Sequence, residues 1–404
     1  MKLATMRVID ETVGSAVASV LGMGVVLFRH IFPRSVAPAP SEVKTIVCQK
    51  YLGMGSILNA LPLIKALRSS YPDVRIVFLT LASNRDVVEL CHGGDEILTI
   101  DTSSFTTFVR GAFASIMELR SHEVDICIDL EFYSKFSLIM SLLMGARVRV
   151  GLHMKKIRPS GILTNVVYYN SYKHLSDIYL AYATALGIQF RAEYFSSLLP
   201  SMGSETQRVL REKLGIDFDR PIIVVNVNAG DLFLFRRWPK DHFAVLIRDL
   251  LCKYPDYAYV MIGDAGDRDY VEQICAQVGS AHKSMLLNAA GLTTIPELFA
   301  LIESAFLMIS NDSGPMHIAS LYGINLAAFF GPESPIVYGP VNRNSLVFKS
   351  TDQYCSPCLS VYDSKKCLYG EECQDNICLR SIVPAEIFHA LEEHFLSAHS
   401  IGDL

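Results

Sequence analysis

"ISNDSGPMHIAS", residues 309–320, sets the turn-forming run Asn311-Asp312-Ser313-Gly314-Pro315 between a short apolar stretch and a helix-like one. Such a junction marks a buried strand that ends in a helix start. Asp312 or Ser313 can cap that helix, Gly314 lets a ligand approach the backbone, and Pro315 suits the first turn, where its missing N–H has no partner to lose. A helix start presents unpaired N–H groups and a partial positive charge, an ordinary setting for a bound anion such as phosphate. His317, in the first turn, adds a donor. The same turn would also cap a helix that binds nothing, so the surrounding sequence decides.

The strand belongs to a series. "PIIVVNVNAG" (221–230), "YAYVMIGDAG" (257–266), "FLMISND" (306–312) and "NLAAFFG" (325–331) read as strands, alternating with helical stretches at 240–255, 268–278, 295–305 and 316–323. An earlier series has strands "VKTIVCQ" (43–49), "VRIVFLT" (74–80), "DEILTID" (95–101), "DICIDLE" (125–131) and "VRVGL" (148–152), with helices at 57–72 and 134–146. Strands alternating with helices predict an α/β chain with a parallel sheet in each half. A less regular stretch, 155–200, separates the halves, which share an architecture but no sequence repeat. The expected organisation is an N-terminal hydrophobic helix and linker (1–40), two strand-helix domains (41–200 and 201–385) and a C-terminal helix and tail (386–404). Ligands in open parallel sheets collect beyond the carboxyl ends of the strands. The loops in that position are "QKYLGMGS" (49–56), "LEFYS" (130–134), "NAGDLF" (228–233), "GDAGDRD" (263–269) and "NDSGPMH" (311–317).

Composition agrees with two ordinary domains: 404 residues, 50% hydrophobic and 19% charged, describe a globular chain and exclude a disordered one. With Lys plus Arg at 36 and Asp plus Glu at 41, the net charge of -5 gives no general attraction for nucleic acid, and none is expected as a partner. An anion must be held locally. Arg236 and Arg237 precede Trp238-Pro239, where Pro239 can begin a helix, so two guanidiniums fall beside a second helix start. A solvated basic pair is the plainer alternative.

The N-terminal stretch from Thr12 to Phe28 carries no charge. It sits near the lower limit for a spanning helix, about 17 residues. Asp10-Glu11 ahead of it, and Pro40 after Ala37-Pro38-Ala39, argue against a cleaved secretory signal. Gly14, Ala18 and Gly22 recur at every fourth position, a spacing that lets two helices approach closely and makes a homo-oligomer one expectation. Arg29, Arg34 and Lys44 follow, which places the globular body on the cytoplasmic face of the inner membrane. A helix that docks on the protein and never enters lipid is the competing reading.

Four segments together carry a family resemblance: "SNDSGPMHIASLYGINLAAFFGP" (310–332), "RRWPKDHFAVL" (236–246), "VDICIDLEFYSKFSLIMSLLMGARVRVGL" (124–152) and "GMGSILNALPLIKALRSSYP" (53–72). They resemble glycosyltransferase family 9, the ADP-heptose:lipopolysaccharide heptosyltransferases. The resemblance implies a GT-B fold, two Rossmann-like domains facing across a cleft, with the acceptor on the N-terminal domain and the nucleotide sugar on the C-terminal one. It also implies inversion at the sugar without a catalytic metal, and as partners a nucleotide-sugar donor (ADP-heptose), a glycan or lipid-linked acceptor and the inner membrane. Asp312, Ser313, Gly314 and His317 match the family's diphosphate-contacting motif. Arg236 stands at the family's phosphate-contacting basic position, Asn228, Ala229 and Gly230 match the loop beneath the donor, and Gly263 and Asp264 fall near the nucleoside.

Displacement at an anomeric carbon needs a base for the acceptor hydroxyl and stabilisation of the departing diphosphate. Ser56 falls where family members commonly carry an aspartate base, and a serine hydroxyl is no base unaided. Glu131 is the expected substitute, with Asp129 on the same strand face; a surface carboxylate paired with Lys135 is the structural alternative for Glu131. If neither serves, the chain is a non-catalytic sugar-nucleotide-binding subunit of an envelope assembly complex. A transferase using another nucleotide sugar also stays open, since phosphate-gripping motifs do not read the sugar. Five of the ten cysteines fall in the segment 355–378. Cys355, Cys358, Cys373 and Cys378 are a candidate structural zinc or iron site, with Cys367 left over; packed thiols and disulfides are the other readings.

Overall fold

The computed structural model describes residues 9–31, 40–154, 161–217, 220–230, 234–279, 285–358 and 377–397. The chain divides into two compact units, Met1–Leu198 and Leu199–Leu404. The first holds β1 (Thr45–Gln49), β2 (Arg75–Leu81), β3 (Glu96–Ile100), β4 (Ile126–Asp129), β5 (Val148–His153) and β6 (Asn165–Tyr168) in the order β3-β2-β1-β4-β5-β6. The second holds β7 (Ile222–Asn226), β8 (Ala258–Ile262), β9 (Leu286–Asn288), β10 (Ala305–Asn311), β11 (Asn325–Phe330) and β12 (Ser345–Lys349) in the order β12-β11-β10-β7-β8-β9. Neighbouring strands are parallel in both. Numbered within its own unit, each sheet runs 3-2-1-4-5-6, the Rossmann order, whose ligand crevice opens where the order reverses. That point lies between β1 and β4 in the first unit and between β7 and β10 in the second.

The central strands are continuous apolar runs because helices cover both faces: every residue of β1 and of β7 is buried. In the first unit the helices are α1 (Ser15–Ile31), α2 (Met54–Ser70), α3 (Arg85–Leu90), α4 (Phe105–Ser121), α5 (Lys135–Leu143) and α6 (Leu175–Ala185). The second adds α7 (Gly203–Leu214), α8 (Lys240–Lys253), α9 (Arg268–Val278), α10 (Ile295–Glu303), α11 (Gly314–Tyr322), α12 (Pro335–Tyr338), α13 (Ile377–Arg380) and α14 (Pro384–Leu391). Right-handed crossovers put α4 and α5 on one face of the first sheet. Leu119 and Met140, one from each helix, accordingly share a core with Val47 and Leu79. Near the C-terminal end of the described residues, Ile387, Leu391 and Leu396 join the core of the second unit.

The sequence reading missed β6, β9 and β12. These are short edge strands, only partly buried, so they lack the unbroken apolar run by which the inner strands are recognised. Helix α6 also lay inside the stretch read as irregular.

The spanning reading of the N-terminal helix is corrected. Among the described residues no helix is long and apolar enough to cross a membrane. A π-helical turn, Asp10–Gly14, leads into α1. The Asp10 carboxylate accepts the backbone N–H groups of Lys135 (2.9 Å) and Phe136 (2.6 Å), capping α5 from outside. Ala18 packs with Leu138, Ile162 and Leu163. At Gly22 the backbones nearly touch, and a Cβ placed on Gly161 would lie 3.2 Å from Gly22 Cα. The small residues that suggested a helix dimer are therefore used within the chain, where they let α1 lie close against its own unit.

Candidate functional site

The reversal point of the second sheet is built from side chains at the ends of β7 and β10. Asn226 donates from Nδ2 to Ser313 Oγ (2.6 Å) and Ser310 Oγ (3.1 Å), tying the two strand ends together. Asn311 holds the next layer: its Oδ1 accepts the N–H of Trp238 (2.8 Å) and its Nδ2 donates to the Val227 carbonyl (2.8 Å). Trp238 is fully buried, stacked on Phe329 at 4.4 Å, and its indole N–H reaches the Ile382 carbonyl at 3.0 Å. This fixes the segment that carries Arg236. The guanidinium then donates from Nη1 to Asp312 Oδ2 (3.2 Å) and from Nη2 to the Ala229 carbonyl (2.8 Å).

Helix α11 begins directly after this cluster, with Ser313 at its N-cap position, Pro315 in its first turn and Gly323 closing it in the left-handed region. Neither expected cap operates. Ser313 makes no capping bond because Asn226 draws its hydroxyl inward, and Asp312 faces Arg236. The amides of the first turn are thus left by the local side chains, with a guanidinium beside them, which is the arrangement that suits an anion. His317 lies in that turn and is buried. Pro239 stands at the N-cap of α8 and not inside it, and Arg237 is taken up by Asp267 at 3.1 Å and the face of Tyr270 at 4.5 Å. Of the basic pair, only Arg236 reaches the α11 cluster.

The remaining donor-side residues split. Asn228 and Ala229 are buried, and Gly230 adopts φ +69°, a conformation that favours glycine. Asn228 Nδ2 donates to the Ile262 carbonyl at 3.0 Å, while its Oδ1 is buried with no donor among the described residues. Gly263 has a plain reason to be glycine, since a Cβ there would sit 2.6 Å from Asn228 Nδ2. Asp264 closes its own turn by accepting the N–H groups of Gly266 (2.8 Å) and Asp267 (3.1 Å), so its carboxylate is committed to local structure.

One residue here went unread in the sequence. Glu333, after β11, is coupled electrostatically to Asp312 and Arg236, and burial followed by the nearby Asp312 charge pushes its pKa up to about 8. Burial also raises Asp312, with Arg236 pulling it back. The one guanidinium is ion-paired with Asp312 and its charge also acts on Glu333. The signal in the sequence was only "GPES", a polar residue after a strand end.

At the corresponding point of the first unit the candidate carboxylates are buried and bonded. Glu131 is buried, paired through Oε2 with Lys50 Nζ (3.0 Å), and its Oε1 accepts the N–H groups of Tyr51 (2.7 Å) and Leu52 (3.1 Å). Its partner is Lys50 and not Lys135. Asp129 is fully buried, accepting from Ser137 Oγ (2.9 Å) and the Glu131 N–H (3.2 Å). Both carboxylates hold loops in place in this structure. Ser56 lies in the first turn of α2, and the Tyr179 hydroxyl donates to the Leu130 carbonyl at 3.1 Å. In the cysteine segment, Cys367 and Cys373 lie outside the described residues; Cys378 is buried in the second core and Cys355 and Cys358 are half-buried.

The profile of glycosyltransferase family 9 (heptosyltransferase) matches residues 113–369, more than half of the chain. The chain belongs to this family. Among curated relatives, lipooligosaccharide heptosyltransferase 2 of Haemophilus influenzae is 29% identical over 150 residues, 37% of this chain and 42% of that protein. Lipopolysaccharide heptosyltransferase 3 of Escherichia coli K12 is 24% identical over 357 residues, 85% of this chain and 95% of that protein. The chain therefore matches less than half the length of the first relative and nearly all of the second. Two solved structures share the fold. The ADP-heptose lps heptosyltransferase II of E. coli superposes with a TM-score of 0.69 at 21% identity, covering 89% of this chain and all of that one. The iron-containing dodecameric glycosyltransferase TibC of enterotoxigenic E. coli gives 0.53 at 13% identity, covering 88% and 78%. Within family 9, the "DSGPMH" junction, read first as an anion site, falls inside the matched region.

Proposed function

We propose that the chain is an inverting, metal-independent glycosyltransferase that moves heptose from ADP-heptose to a lipopolysaccharide-type or other cell-envelope glycan acceptor. In this reading the two units form a GT-B enzyme at the cytoplasmic face of the inner membrane. The observation that carries it is the start of α11, where Asn226 turns the Ser313 hydroxyl aside and Arg236 stands next to the first-turn amides. Breaking the anomeric bond leaves both electrons on the departing ADP, and the added negative charge develops where these donors point. The acceptor hydroxyl must lose its proton as it attacks from the opposite face of the sugar.

A second reading is favoured by the first unit. Ser56 stands where family members commonly carry an aspartate, and Glu131 and Asp129 are buried in structural bonds. A chain so equipped could bind the donor as a subunit of an envelope assembly complex without transferring the sugar. Incubation with ADP-heptose and a heptose-deficient lipopolysaccharide core decides: transfer with inverted anomeric configuration is expected. Saturable ADP-heptose binding with no transfer, even from Ser56→Asp, would establish the second reading. Another nucleotide sugar transferred in preference would replace the donor and leave the chemistry.

Thiolates spaced as Cys355 and Cys358 suit zinc or iron, and TibC, whose fold is similar, is described as iron-containing. A structural ion in the segment 355–378 is therefore included in the proposal. Elemental analysis of the purified chain, finding neither metal in stoichiometric amount, would remove it.

A further inference from the structure

Helices α1, α5 and α4 form one layer on the first unit, α5 touching both others. The face of α1 opposite its docked small residues exposes Val13, Val17, Val20, Met23 and Val26, with Val20 at 65% and Met23 at 70%. On α4, Phe105, Val109, Phe113 and Met117 fall at every fourth position and are exposed, Phe113 at 64%. Leu143, at the end of α5, is exposed as well. Single exposed apolar residues are normal, but two rows on the helices of one layer mark a surface that meets something.

Charge selects the occupant. The segment from Thr12 to Phe28 has no charge, and Asp10 is turned inward onto the α5 backbone. In the sequence, Lys2, Arg7 and Glu11 precede the uncharged segment and Arg29 and Arg34 follow it, and the exposed charges of α4 are Arg110 and Arg120 against Glu118. An apolar middle with a basic rim is the profile of a segment lying in the interface of an anionic membrane. A second copy fits less well, because a two-fold contact brings the same patch onto itself and would set basic margins against basic margins.

We propose that the outer faces of α1 and α4 seat the first unit on an anionic lipid bilayer, lying on it without crossing it. This rests on the membrane location in the function proposed above and names the surface that makes the contact. It puts the acceptor-binding unit, as the family resemblance assigns it, against the surface that would carry a lipid-linked acceptor.

The test is co-sedimentation of the full chain with vesicles of phosphatidylcholine alone and of phosphatidylcholine mixed equally with phosphatidylglycerol. Binding to the mixed vesicles only, weakened by salt, is expected. Combining Val20→Ser with Phe113→Ser should lower partitioning about tenfold or more. Arg110→Gln and Arg120→Gln should each lower it about fivefold on mixed vesicles. Unchanged melting temperatures and ADP binding would show that the variants are folded. Equal binding to neutral vesicles, or variants that partition like the parent, would overturn the proposal. So would a chain that ignores vesicles but forms a dimer that Phe113→Ser dissolves. Transfer to a water-soluble acceptor is measured separately, so a failed docking surface leaves the transferase reading intact, and the reverse also holds.

Discussion

Lys50 Nζ lies 3.0 Å from Glu131 Oε2 at the carboxyl ends of β1 and β4, with both side chains almost sealed from water. Because Glu131 also receives the N–H groups of Tyr51 and Leu52, the pair anchors the loop that leads to Gly53 and Ser56. Removing one charge leaves the other buried and uncompensated, which costs about 3–5 kcal/mol. Glu131→Gln and Lys50→Met should each lose roughly that much stability in urea denaturation. The double variant should recover part of it. Glu131→Gln with full stability and abolished transfer would restore Glu131 as the base.

Arg236 is expected to act on the leaving group. Arg236→Ala should lower kcat with ADP-heptose about a hundredfold, the scale for losing one preorganised donor to developing negative charge. Arg236→Lys should recover little, because an ammonium cannot span Asp312 and the Ala229 carbonyl as the planar guanidinium does. Steady-state ADP release checks both. An unchanged kcat would take Arg236 out of the site.

Glu333 should make stability depend on pH. Its folded pKa of about 8 lies above the value of about 4.3 for a free glutamate, so between these the folded chain keeps a proton that the unfolded chain has released. The stabilisation is full below the unfolded value and is lost as pH rises through about 8; Asp312, raised in the same direction, adds to the trend. Melting temperatures should fall from about pH 5 to about pH 9, and Glu333→Gln should flatten the slope. Equal slopes for variant and parent would count against a neutral Glu333.

The inner strands were legible because a parallel strand covered on both faces is largely apolar, as the runs "IIVV" and "IVC" within β7 and β1 are. The α11 start was legible too, since Gly314 and Pro315 have strong local meanings. The edge strands β6, β9 and β12 were not, because they are short and only partly buried. The pairing of Glu131 was illegible for a different reason: its position after β4 suits a ligand-facing carboxylate, and its ion pair is with Lys50, 81 positions away in the chain.

From sequence alone came the two parallel α/β halves, the strand-to-helix junction at 311–317 and the family, all of which rest on periodicity and on residues whose backbone preferences act locally. Tertiary structure decided which charges are spent. It paired Arg236 with Asp312 and Lys50 with Glu131, brought Glu333 to the same guanidinium, and laid the N-terminal helix against α5. Those outcomes depend on burial and on partners distant in sequence, and electrostatic energy is set by where groups end up relative to water and to each other.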